Sequence, residues 1–125
     1  MKLDHYTIHT TDLARARRFY EEVLGLSDGY RPPFEGPPGA WLYGPEQRPI
    51  VHLYEGRGED EHGNGPLDHI AFVIDQVDPY VERLRRHHIH YDTADVPELG
   101  GKQVFFRDPD GIQIELSYEP AATSP

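Results

Sequence analysis

The chain contains no cysteine. That absence removes disulfides, thiolate nucleophiles and Cys-type zinc sites together. Positive charge is also scarce: 12 Lys and Arg stand against 22 Asp and Glu, a net charge of −10 with His neutral. A surface that acidic repels phosphate backbones and anionic headgroups, so neither nucleic acid nor a membrane is an expected partner. No apolar run approaches membrane-spanning length, and the opening MKLDH has no signal-peptide core. The expectation is a soluble cytoplasmic protein. Its 125 residues suffice for one hydrophobic core and are too few to promise two.

Histidine, by contrast, is plentiful, with 8 residues. With thiols absent, imidazoles and carboxylates are the strong metal ligands on offer.

The order of elements is written twice. Residues 3–10 read as a strand with Leu3, His5 and Thr7 on one face. Thr10, Thr11 and Asp12 offer N-cap chemistry for a helix over 13–24, whose apolar residues Leu13, Ala16, Phe19, Tyr20, Val23 and Leu24 fall at helical spacing. Gly25 sits where a left-handed C-cap residue is wanted. Residues 31–39, RPPFEGPPG, carry four prolines and are excluded from regular structure. Two short apolar runs follow, 40–43 and 50–54, joined by a turn at Gly44-Pro45. The Gly-rich stretch 56–65 reads as a linker.

The second half then repeats the first. Leu67-Asp68-His69-Ile70 matches Leu3-Asp4-His5-Tyr6 at an offset of 64, and the strand around Glu115 matches the strand around His52 at an offset of 63. A second helix is expected over 78–88, with Tyr80, Val81, Leu84 and His88 on its inner side. Strands over 104–107 and 112–118 are joined by Asp108-Pro109-Asp110-Gly111, a tight-turn sequence. The last residues, 120–125, read as a disordered tail. A period near 64 is too long for a solenoid and fits a duplicated half-domain. Each half makes one open sheet with a helix on one face, leaving the other face to be buried against the other half.

The repeat gives four of the polar residues a common meaning. His5 and His69 hold equivalent places in the first strand of each half, and His52 and Glu115 hold equivalent places in the last. Three imidazoles and a carboxylate suit one divalent metal ion, with Fe, Ni, Co, Zn and Mn all open, and leave room for substrate or water. Glu115 stands between Ile114 and Leu116, where a carboxylate is costly to bury without a cation or hydrogen-bond partner.

Three stretches, LDHYTIHTTDLARARRFYEEVLGL, GPLDHIAFVID and QVFFRDPDGIQIEL, resemble the vicinal oxygen chelate superfamily. That group includes glyoxalase I, extradiol dioxygenases, methylmalonyl-CoA epimerase and the fosfomycin and bleomycin resistance proteins. The resemblance covers residues 3–118 and is specific at superfamily level. It implies an α+β fold of two pseudo-symmetric βαβββ modules, residues 1–55 and 66–119, in one domain over 1–119. Their strands would form a curled mixed sheet around a metal-binding cleft. It implies that His5, His69 and Glu115 match the most regular ligand positions. His52 stands where glyoxalase I and the epimerases usually have a carboxylate, a departure from the glyoxalase pattern. Members of this length commonly form homodimers, some building each site from two chains.

The expected function is a metal-dependent enzyme performing isomerase or lyase chemistry on a small oxygenated substrate, with Glu115 and His52 as catalytic candidates. Two alternatives stay open. One is an Fe(II) extradiol-type dioxygenase, in which His5, His69 and Glu115 form a two-His-one-carboxylate set and His52 is an acid/base beside it. The other is a non-catalytic drug or metabolite binding protein. Trp41, Tyr43, Tyr54 and Phe106 are expected on strands lining the cleft, with ordinary core packing the competing reading. Phe34 is a candidate flap tip, against a rigid crossover. His87, His88 and His90 read as helix-end residues, and Arg107 as a support for the Asp108–Gly111 turn.

Overall fold

The carboxylate of Asp12 ends the first strand and begins the first helix, accepting the Arg15 backbone N–H at 3.0 Å in the computed structural model. The structure describes residues 3–58, 63, 65, 67–96 and 100–120. The expected tail, apart from Pro120, and much of the expected linker lie outside these residues. Strand β1 (Tyr6–Thr10) leads through this cap into helix α1 (Leu13–Glu22), which buries Ala16, Phe19 and Tyr20. Gly25 takes a φ of 74°, where a side chain would be strained, and the Leu26 N–H returns to the Tyr20 carbonyl at 3.1 Å. Strands β2 (Ser27–Gly29), β3 (Gly39–Tyr43) and β4 (Pro49–Glu55) complete the first unit, Met1–His62.

The second unit, Gly63–Pro125, repeats the order with β5 (Ile70–Ile74), α2 (Asp78–Arg86), β6 (Tyr91–Asp95), β7 (Lys102–Arg107) and β8 (Gln113–Tyr118). Its four strands lie in the order β5-β8-β7-β6, the counterpart of β1-β4-β3-β2. In each sheet the first and last strands pair in parallel and the other neighbours pair antiparallel. The chain is therefore two βαβββ modules, each carrying one four-stranded mixed sheet and one helix.

Strand alternation sorts the residues onto two faces. In the first unit Ile8, Ala40, Leu42, Val51 and Leu53 are buried on one face. The opposite face carries Thr7, Trp41, His52 and Tyr54, since Thr7 and Trp41 both lie opposite His52 in register. In the second unit Ile74, Val104, Phe106, Ile114 and Leu116 are buried. Glu115 takes the other face, with Ala71 and Phe105 as its cross-strand partners.

Several expectations change. The first strand begins at Tyr6 rather than Leu3, and the two helices end at Glu22 and Arg86. Strands β2 and β6 had no counterpart in the sequence pattern. Phe106 is 3% exposed among the aliphatic residues, so the neighbouring Phe105, not Phe106, shares the face of Glu115. His88 is exposed at a φ of 56° just past the helix end, where no inner side remains.

The Asp108–Gly111 turn is built as its residues imply. Asp108 Oδ1 accepts the N–H groups of Asp110 and Ile112, each at 2.8 Å, and Arg107 donates to the Gly111 carbonyl at 2.7 Å. Asp108 is buried, so its removal strands two donors. Asp108→Ala is expected to lower the urea unfolding free energy by about 2–3 kcal/mol. Asp108→Asn keeps an acceptor and should cost about half of that.

Candidate metal centre

Parallel pairing brings the ends of each module to one level. Thr7 of β1 lies opposite His52 of β4, and Ala71 of β5 lies opposite Glu115 of β8. Thr7 and Ala71 are 64 apart and His52 and Glu115 are 63 apart, so these two positions are structurally equivalent. His5 and His69 each sit just before the first strand of their module.

In the first unit the His5 and His52 rings stack, with centroids 3.7 Å apart and planes at 14°. Trp41 covers the other side of His52 at 4.2 Å and 12°. This sandwich explains why His52 is only 6% exposed on a face the helix does not cover. Nδ1 of His5 lies 2.6 Å from Asp4 Oδ2, and Asp4 is also paired with Arg48. A carboxylate only accepts, so the proton sits on Nδ1 and the Nε2 lone pair of neutral His5 is left for a cation. His52 is held the other way round: its Nε2 donates to the Pro49 carbonyl at 3.1 Å, which leaves Nδ1 with the lone pair. Parallel stacked rings send their in-plane lone pairs side by side, not toward one point.

The second unit has the matching arrangement with a carboxylate. His69 Nδ1 donates to Asp68 Oδ2 at 2.7 Å, and its Nε2 stands 3.5 Å from Glu115 Oε1. Two ligands about 2.1 Å from a zinc-like ion sit roughly 3–3.5 Å from each other, so this pair already has the spacing of adjacent ligands. The Glu115 side chain is 12% exposed and is flanked across the sheet by Phe105 and Ala71. A carboxylate in that setting needs a partner, and His69 or a cation beside it supplies one.

The donor chemistry of His5, His69 and Glu115 therefore fits a divalent ion: two imidazoles oriented by neighbouring carboxylates, and one carboxylate at ligand spacing from an imidazole. Among the described residues, His5 meets His52 and His69 meets Glu115, and no group of three or more His, Asp or Glu side chains gathers as a metal site. A cleft of about 460 Å³ opens in the second unit between the start of α2 and strands β6 and β7, lined in part by Asp78, Thr93, Lys102 and Tyr118. None of the four candidate ligands lines it.

Asp4 and Asp68 were not singled out as site residues in the sequence. Neighbours in a strand point to opposite faces, but both Asp-His pairs precede their strands, where adjacent side chains can meet. The repeated Leu-Asp-His was the available signal.

A profile of the Glyoxalase/Bleomycin resistance protein/Dioxygenase superfamily matches residues 2–116. The chain belongs to this superfamily. It is 32% identical over 129 aligned positions to a lactoylglutathione lyase of Escherichia coli O157:H7, covering 98% of this chain and 96% of that one. Its fold is similar to a glyoxylase/bleomycin resistance protein/dioxygenase domain from Frankia sp. EAN1pec, with a TM-score of 0.81, 24% identity and coverage of 98% and 95%. It is also similar in fold to FosX, a fosfomycin resistance protein of Listeria monocytogenes solved with Mn(II), with a TM-score of 0.75, 21% identity and coverage of 96% and 93%. Divalent metal thus occurs within the superfamily.

Burial of His52 and hydrogen bonding of His69 split these two imidazoles electrostatically. Burial, reinforced by the neighbouring His5, pushes the His52 pKa below its ordinary value. The Asp68 hydrogen bond pushes the His69 pKa up, and the His5 hydrogen bond, with Arg48, holds the Asp4 carboxyl down. His69 therefore adds stability that is present below its unfolded pKa of about 6.5 and is lost as pH rises through the folded value. His52 acts oppositely, costing stability as pH falls from about 6.5 through its lowered folded value. In NMR titrations of metal-free protein, His69 should titrate above His52. Asp68→Asn should move His69 back toward its ordinary value and leave His52 in place; unchanged titration of His69 would remove Asp68 from this role.

Proposed function

We propose that the protein is a metal-dependent enzyme performing isomerase or lyase chemistry on a small oxygenated substrate, with one divalent metal held by His5, His69 and Glu115. The observation that carries this reading is the 3.5 Å approach of His69 Nε2 to Glu115 Oε1, with Nδ1 of the same ring tied to Asp68. The metal, when bound, would supply Lewis acidity to substrate oxygens as negative charge develops. The chain's own groups do the rest. Asp4 and Asp68 fix the tautomers of His5 and His69. Phe105 and Ala71 flank Glu115 across the sheet. Glu115 moves a proton at its carboxylate oxygens. His52, with a lowered pKa and its Nδ1 free, is the neutral base of the first unit. The 32% identity to a lactoylglutathione lyase supports lyase chemistry without identifying the substrate.

A second reading, an Fe(II) dioxygenase, is favoured by the geometry of His52. Stacked against His5 and bonded through Nε2 to Pro49, His52 would have to leave both partners to join the metal. The remaining His5, His69 and Glu115 are the two-His-one-carboxylate set of such enzymes. Binding without catalysis is the third reading, and the retention of all the donor side chains weighs against it.

The modules 1–55 and 66–119 are taken as one functional domain working as a cytoplasmic homodimer. No described helix is long and apolar enough to cross a membrane. Leu3, Leu67 and Val73 are exposed on or beside the edge strands β1 and β5, apolar surface that a second copy would cover.

Metal analysis of protein purified without chelator should find near-stoichiometric divalent metal. Iron would favour oxygenation, whereas nickel, cobalt, zinc or manganese would favour lyase or isomerase work. His69→Ala and Glu115→Gln should each weaken metal binding by roughly 100-fold or more, since even groups outside the ligand set contribute about 10–100-fold. His52→Ala should retain binding. No bound metal, with no rise in thermal stability on adding one, would sink the enzyme reading. Mixing His5→Ala with Glu115→Ala protein then locates the site: recovered binding requires ligands from two copies, and no recovery requires ligands from one.

A further inference from the structure

The proline-rich segment 31–39 begins with a cation that has no ion-pair partner among the described residues. The Arg31 guanidinium lies 5.8 Å from the Phe34 ring centroid and 5.2 Å from that of Tyr54. A Cβ at Gly39 would collide with the Leu53 carbonyl oxygen and come within 3.2 Å of Arg31 Cζ and Nε, so glycine lets β3 lie close to both. Nε is buried and has no acceptor. None of the ion pairs among the described residues engages Arg31. The chain has 22 carboxylates and a net charge of −10, yet none of them is placed against this guanidinium among the described residues.

A second unused donor lies in the same group of rings. Nε1 of Trp41, the single tryptophan of the chain, is buried without an acceptor. Its ring stacks on His52 and meets Phe34 at 5.9 Å. Tyr54, which carries Arg31, stands two residues beyond His52 on the same face of β4, about 7 Å along the strand. Buried donors without acceptors are costly unless something outside the chain completes them. Aromatic rings hold a guanidinium in place and strip its water, and its planar fork matches the oxygens of a carboxylate, phosphonate or phosphate.

We propose that Arg31, with the indole N–H of Trp41, forms a subsite for the anionic group of the substrate on the uncovered face of the first sheet. Resting on the metal-site reading above, this makes the substrate a small oxygenated acid. Its charged end lies over Tyr54 and its metal-binding oxygens lie toward His5. The overall negative charge of the protein repels anions in general, so a cation held by rings beside unused buried donors selects where one docks.

Trp41 is a built-in reporter. Metal-free protein is titrated with lactate, methylphosphonate and inorganic phosphate, with 1,2-propanediol as the uncharged control, following Trp41 fluorescence and the indole and Arg31 Nε–H NMR signals. At least one anion should give saturable shifts of both signals and the diol none. Lactate alone would identify a carboxylate subsite, and the two phosphorus anions a tetrahedral one; both support the proposal. Arg31→Gln should weaken the binding tenfold or more, and Arg31→Lys, which keeps charge and stem, should weaken it less. Saturable shifts with none of the anions, or unchanged binding in a folded Arg31→Gln protein, would overturn it. Should Arg31→Gln fail to fold, the Arg31→Lys titration decides, with unchanged affinity overturning the proposal. Metal affinity is measured separately: anion binding by a protein with no measurable metal affinity sinks only the metal reading, and metal binding without anion binding sinks only this one.

Discussion

The parallel pairing of the first and last strand in each module is the constraint on which everything else depends. A parallel pair cannot be closed by a tight turn, so a helix and two further strands must intervene before the chain returns. That crossover covers one face of the sheet and leaves the other open. It also brings residues far apart in sequence to the same level: Thr7 with His52, and Ala71 with Glu115. A ligand at the start of a module and one at its end thus become neighbours on the uncovered face. Because the module is repeated, the same level is prepared twice.

This logic sets what could be read without coordinates. Offsets of 64 and 63 placed β1, β4, β5 and β8 and paired the candidate ligands, because these strands carry apolar alternation and a repeated Leu-Asp-His. Strands β2 and β6 escaped notice because they lie at sheet edges and their residues, SDG and YDTAD, are almost wholly exposed. Nothing hydrophobic marks such strands; their neighbours' backbones recruit them. The Phe105 and Phe106 assignment failed for a related reason. Two adjacent phenylalanines occupy opposite faces, and only the register with Glu115 decides which is which. The roles of Asp4 and Asp68 depended on where the strands begin, an element boundary that periodicity cannot locate.

The acidic composition of the chain also acquires a local meaning. Asp4 and Asp68 are spent on orienting imidazoles, and Asp108 on two turn amides. Arg48 is matched to Asp4 and Lys102 to Asp95. Arg31 departs from that pattern of local compensation, held by aromatic rings with its Nε buried and without an acceptor. Aromatic contact keeps a cation in position without neutralising it, whereas an ion pair would have used its charge within the fold.

The pseudo-symmetry of the two modules is broken at one level of the sheets. At equivalent levels one module carries an imidazole and the other a carboxylate. His52 is sandwiched between His5 and Trp41 and held neutral by burial, with cationic Arg31 and Arg48 in the same module. Glu115 sits in an apolar setting with a histidine whose proton affinity is raised by Asp68. At this level the first module therefore presents a neutral imidazole, and the second presents a carboxylate. An identical repeat could not do both: two carboxylates would leave no neutral base, and two stacked imidazoles would leave no anionic ligand. Divergence at this one position gives a duplicated scaffold two chemically different surfaces built from the same repeated unit.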